Sequence, residues 1–196
     1  MAENPQHKND GTIELVWFGP FSFRDFIEES ERVKDFKVRG VYLWVEKGEA
    51  GEERISYVGK VSGEPNLLKR QRDHYANLIG GGWTIPGGFR SGKGKWEPHQ
   101  YPENVGTVLS CDKFVELVRA AFQYVQCITI YLAPLGQLSS EVIGAVERNQ
   151  LYDLKPTYTN PGTKSEPRQR LRIVHKNARW YTEDVKRYIR NQPMIA

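Results

Sequence analysis

The chain has 196 residues, a net charge of +4 and 39% hydrophobic residues, enough for one well-buried domain and too many for wholesale disorder. No apolar run is long enough to cross a bilayer, and the first residues lack a charged and then apolar leader, so no membrane association is expected. Only Cys111 and Cys127 occur, without metal-ligand spacing, which fits the reduced thiols of a cytoplasmic protein better than a disulfide framework.

Charge is distributed unevenly. Residues 60–100 carry 7 basic and 3 acidic side chains, and residues 164–190 carry 9 and 3, whereas residues 1–56 carry 8 and 12. Segregated positive charge suits a polyanion surface, because each Lys or Arg placed at a phosphate releases condensed counterions. A solvated basic face explains charge alone equally well.

In chain order, Ile13 to Phe18 reads as a first strand and Phe23 to Val33 as a helix leading into an acidic run. Val41 to Val45 and Ile55 to Val58 then read as an antiparallel hairpin turning at Glu49-Ala50, with Tyr42 opposite Tyr57. Pro65 suits the first position of a helix from about Asn66 to Ile79. On that helix Arg70 and His74, four apart, fall together at the edge of an apolar stripe. Residues 80–100 are rich in glycine, basic and aromatic residues, and Gly87 with Gly92-Lys93 nearly spell a phosphate-cradling loop. Gly94 stands where Ser or Thr would hold magnesium, and Pro86 disrupts the approach, so nucleotide hydrolysis is rejected. An arm whose Arg90, Lys93 and Lys95 track phosphates fits better.

Ser110 is placed to cap a helix through Val125, Cys127 to Leu132 reads as a third strand, and a helix from about Ser140 to Leu154 is stopped by Pro156. Glu147 falls on the apolar face of that helix, one turn from Ile143 and one from Leu151. A carboxylate in a core position is costly unless it is paired or holds a cation. Arg168, Arg170 and Arg172 alternate along a strand-like segment, and a short terminal helix is expected after Thr182.

The order of Gly40-Val41-Tyr42, Tyr57-Val58-Gly59, Lys60, Asn66-Leu67 with Arg70 and His74, then Glu147, Pro156 and Asn160 resembles the GIY-YIG nuclease superfamily. Val41 and Val58 stand where the family has isoleucine, the stretch from Lys60 to Asn66 is slightly longer, and Asn160 lies one residue further from Pro156. The resemblance implies an α+β fold: a small three-stranded antiparallel sheet flanked by helices, with a glycine-rich loop insertion and a basic C-terminal extension. Residues 38–160 would be the core, interrupted at about 80–125, with residues 1–37 packing on it and residues 161–196 as the extension.

The resemblance also implies a divalent-metal-dependent DNA endonuclease, whose catalytic residues would be Tyr42, Tyr57, Lys60, Arg70, His74, Glu147 and Asn160. Glu147 would hold one Mg2+ or Mn2+ ion and Arg70 the phosphate, with Lys60 lowering the pKa of a neighbouring tyrosine; Tyr42 is the expected general base, with Tyr57 and His74 orienting water or relaying protons, and the sequence does not rank the three. Tyr42, Tyr57, Arg70, His74 and Glu147 are then expected to line one cleft, with Glu147 on the Tyr42 side of the sheet. Double-stranded DNA is the expected partner, contacted by Arg90, Lys93, Lys95, Arg168, Arg170 and Arg172. A site-specific, restriction-type homodimer is one form such an enzyme could take, and a repair or mobile-element nuclease another. The alternative is a non-catalytic nucleic-acid-binding module with the same fold.

Overall fold

A computed structural model describes residues 12–48, 51–80, 112–157 and 166–176. The α+β class is as expected, but the main sheet has four antiparallel strands, not three. It is built from β2 (Phe18–Phe21), β3 (Gly40–Lys47), β4 (Glu53–Val61) and β5 (Ile128–Pro134) in the order β2-β5-β3-β4. The extra strand comes from the run expected as one strand over Ile13 to Phe18, which breaks at Trp17. Its first part, β1 (Thr12–Val16), pairs in parallel with β6 (Arg172–Lys176) in a separate two-stranded sheet, while Phe18 and Phe21 lie opposite Leu132 and Ile130. Gly19 has φ +149° and packs so tightly that a Cβ there would sit 2.7 Å from the Tyr131 ring, so the short second strand depends on a glycine.

Among the described residues there are four helices: α1 (Phe23–Ile27), α2 (Leu67–Ile79), α3 (Asp112–Gln126) and α4 (Ser140–Leu154). Ser22 and Asp25 cap α1 reciprocally, yet the helix stops well before Val33, and Glu29 just beyond it takes a left-handed φ of 45°. At α2 the cap is Asn66, whose side chain accepts from Lys69 N–H at 2.9 Å. Pro65 therefore lies outside the helix, not at its first position. Lys155, also left-handed, ends α4 one residue before Pro156. Residues 49–50, 81–111, 158–165 and those after 176 lie outside the described residues, and with them Glu49-Ala50, Arg90, Lys93, Lys95, Ser110, Asn160 and the expected terminal helix.

Alternation along β3 sends Tyr42 and Trp44 to one face and Val41, Leu43 and Val45 to the other. The first face packs against Phe23 and Phe26 of α1, Leu67, Leu68 and Leu78 of α2, and Ala121 and Tyr124 of α3. The second packs against Ile143, Val146, Leu151 and Leu154 of α4 and against Ile13 and Leu15 of β1. Two apolar layers thus sandwich the sheet, with α2 and α4 on opposite sides. Asn149, fully buried on α4, ties the segment before β6 to this core: its amide donates to Gln169 C=O at 3.0 Å and accepts from Leu171 N–H at 3.1 Å.

Register corrects the expected tyrosine pairing. Tyr42 lies opposite Gly59 and Trp44 opposite Tyr57, and an irregularity between Trp44 and Val45 shifts the rest of the hairpin. Tyr42 and Tyr57 still share a face, as diagonal neighbours with ring centroids 6.0 Å apart. The Tyr42 ring occupies the space above Gly59, where a Cβ would stand 2.4 Å from the phenol oxygen. No helix of the described residues is long and apolar enough to cross a membrane.

Candidate functional site

Three aromatic groups meet under α2. The Tyr42 hydroxyl pairs with His74 Nε2 at 2.5 Å, and the Tyr57 ring lies 5.9 Å from the imidazole. Trp44 closes the group, edge-on to His74 at 4.9 Å and tilted on Tyr57 at 5.0 Å, with its indole N–H donating to Gln71 Oε1 at 3.0 Å. Arg70, one turn before His74, lies within electrostatic reach of both phenols, and its charge favours their ionisation.

Depth divides these residues. His74 and Tyr42 are 0% and 1% exposed, whereas Tyr57 and Arg70 are only partly covered. His74 therefore does not face a cleft from a helix edge, as its spacing suggested; it sits beneath Tyr42, within the hydrophobic layer. Burial lifts the Tyr42 pKa well above 10 and that of Tyr57 above its ordinary value, with Arg70 partly opposing both. Tyr42 is thus a poor candidate for a base that meets water, and Tyr57, half-buried, is the less enclosed of the two phenols. Burial is the main cause of both shifts, and Lys60 does not figure among their causes.

Lys60 is occupied elsewhere. It lies opposite Val41, on the second face of the sheet, and its ammonium donates to Glu147 Oε2 at 2.7 Å. Glu147 projects from α4 between buried Ile143 and Leu151, but with its side chain 18% exposed it is at the rim of the core, not inside it. The helix carrying Glu147 therefore covers the face away from Tyr42, and the single cleft expected over Tyr42 is not what the fold builds. The two halves meet around β4, which ends the sheet. Tyr57 on one side of that strand feels the negative charge of Glu147, which raises its pKa, while Lys60 holds Glu147 from the other side.

Among the described residues no group of three or more His, Cys, Asp or Glu side chains could cage a metal ion. Glu147 alone fits a different kind of ion. Magnesium keeps several waters and takes one or two carboxylates plus substrate oxygens, and only one of the Glu147 oxygens is engaged, by Lys60. Of the arginines expected at nucleic acid, Arg168 and Arg172 are exposed on the segment leading into β6 and on β6 itself. Arg170 is committed to the fold, paired with Asp153 at 2.9 Å and stacked over Tyr152 at 4.9 Å. Trp44 and Gln71 build the site without having stood out in the sequence. The signal for Trp44 was its place two residues after Tyr42, hence on the same strand face.

Burial and the neighbouring Arg70 push the His74 pKa down to about 2. An unfolded histidine titrates near 6.5, so below that pH the unfolded chain gains a proton that the folded chain refuses. This contribution to stability is intact above about pH 6.5 and is lost as pH falls towards the folded value, at up to ~1.4 kcal/mol per unit. Between pH 6.5 and 5 the native protein is expected to lose about 2 kcal/mol more than His74→Gln in urea unfolding. Equal losses would show that His74 is not held neutral.

Comparison of the chain with protein-family models, with curated proteins and with solved structures finds no match.

Proposed function

We propose that the chain is a divalent-metal-dependent endonuclease that hydrolyses phosphodiester bonds in double-stranded DNA, of the GIY-YIG kind that its motif order resembles. The observation that carries this reading is the convergence on β4 of a half-buried phenol with a guanidinium and a lysine-glutamate pair within electrostatic reach. Phosphodiester hydrolysis needs those parts: a group to take a proton from water, a cation on the phosphoryl oxygens, and a place for charge on the leaving oxygen.

Tyr57 is the base in this scheme and Tyr42 its support. The His74 tautomer protonated on Nε2 would donate to the Tyr42 oxygen, and Tyr42 together with the charge of Arg70 would support a developing phenolate on Tyr57. Arg70 binds the scissile phosphate. Its Nε is buried with no partner, and its charge acts on both phenols. Glu147 would hold the cation, which when bound would polarise the phosphoryl oxygen, lower the pKa of an attacking water and offset the charge that now raises Tyr57.

Incubation of supercoiled plasmid with the native chain and magnesium is expected to yield nicked and linear DNA, at a rate that rises with pH until the Tyr57 phenol is ionised. Tyr57→Phe should slow this by about 10²-fold or more. Native-like cleavage by Tyr57→Phe would remove the tyrosine from the chemistry. If the native chain binds DNA but cuts none with magnesium or manganese, the non-catalytic module is the right reading. That second reading draws on one observation, the carboxylate already neutralised by Lys60.

A further inference from the structure

We infer that Arg148 and Lys60 form a second phosphate-binding position, distinct from the scissile one and built over the bare backbone of Gly144. The inference rests on the nuclease reading for its substrate, and on a separate observation for its place. A Cβ built on Gly144 would lie 3.5 Å from Arg148 Nη1 and 3.5 Å from Lys60 Nζ, with no other neighbour within 4 Å apart from the excluded chain neighbours and nearby helix backbone. The two cationic nitrogens are therefore no further apart than twice that distance, one from α4 and one from β4.

Each part has a local cause. Side chains on a helix lean towards its N-terminus, so Arg148 folds back over the residue four before it. Lys60 arrives from the opposite side, anchored by Glu147, the neighbour of Arg148 in sequence. Glycine weakens a helix interior, so a buried Gly144 in the middle of α4 calls for a packing reason. Its φ is unremarkable, and the space its missing side chain leaves is the space in which the two cations converge.

The charges do not balance within the protein. Lys60 is matched by Glu147, whereas Arg148 is exposed and forms no ion pair with a described residue. A like-charged pair held together at a surface raises the local positive potential and favours an anion bridging both groups. On a nucleic-acid backbone that anion is a phosphate other than the scissile one, and a guanidinium takes it by two parallel hydrogen bonds. Contact with a phosphate that does not react stabilises substrate and transition state alike, so its loss raises KM and leaves kcat nearly unchanged.

The test is fluorescence anisotropy with a labelled 20-base-pair DNA duplex in EDTA, across a range of salt concentrations. Arg148→Gln should reduce the slope of log K against log salt by about 0.9, the value for one phosphate contact. Arg148→Lys should restore the slope, since charge carries this term, and Arg24→Gln on distant α1 should leave it unchanged. A native slope in Arg148→Gln, or an equal fall in Arg24→Gln, would overturn the second position and leave the nuclease reading standing. If the native chain shows no salt-dependent binding, the nuclease reading fails and this inference falls with it.

Discussion

Glu147→Gln is expected to cut magnesium-dependent plasmid cleavage by about 10³-fold while leaving the fold intact. The amide keeps the size of the carboxylate and an oxygen for the Lys60 ammonium, and at 18% exposure the side chain lies at the rim of the core, so unfolding transitions should barely move. The sign of the neighbouring phenol shift makes the result informative. Glu147 raises the Tyr57 pKa, so removing its charge makes that phenol easier to ionise. If Glu147 acted only through Tyr57, the variant would be as fast as the native chain or faster. A large loss therefore points to the carboxylate as the cation's ligand, and full activity in Glu147→Gln would sink the metal-dependent reading.

Gly40→Ala should be the most damaging single-methyl change in the described fold. A Cβ at that position would stand 2.2 Å from the Ala133 carbonyl oxygen and 3.0 Å from Leu67 Cδ1, between the central strand pair and α2. The obstacle is backbone, and Gly40 pairs with both Val61 and Pro134, so relief would require moving strands on both sides. Overpacking of this kind costs about 3 kcal/mol or more, which for a chain of this length lowers Tm by roughly 6–12 °C. At Gly59 the clash is with the Tyr42 side chain and not with backbone, so Gly59→Ala should lose less stability and more activity. Thermal melts of the two variants check the order, and equal melting temperatures would refute it.

The site was legible where it depended on order along the chain and illegible where it depended on depth. The hairpin, the α2 helix and α4 were readable from alternation and 3.6-residue spacing, and α4 matches its expected span. His74 illustrates the limit: helical phase put it at the edge of the stripe, but Trp44 and Tyr42 extend far enough from β3 to enclose it. The offset of Tyr42 and Tyr57 was hidden because a strand irregularity shifts register without leaving a mark in residue type. Spacing put Glu147 in line with Ile143 and Leu151, but its place at the rim, paired with Lys60, was not readable from spacing. That its helix packs against the far side of the sheet is a matter of connection handedness and layer order, which no local pattern records. The fourth strand was lost for a similar reason, since a single tryptophan divides a continuous apolar run between two sheets.

β4 has a consequence for how the molecule must meet its neighbours. It is the last strand of the sheet, and among the described residues its outer side is met by the Thr157 N–H at Ile55 O, 3.1 Å away, well short of Gly59 and Lys60. An open strand margin invites another extended chain to add on, which is how many proteins aggregate or are captured. Here such an addition would lie across the seam joining the phenol half of the site to the carboxylate half. On the nuclease reading proposed above, a strand added there would compete with the nucleic acid for the same margin.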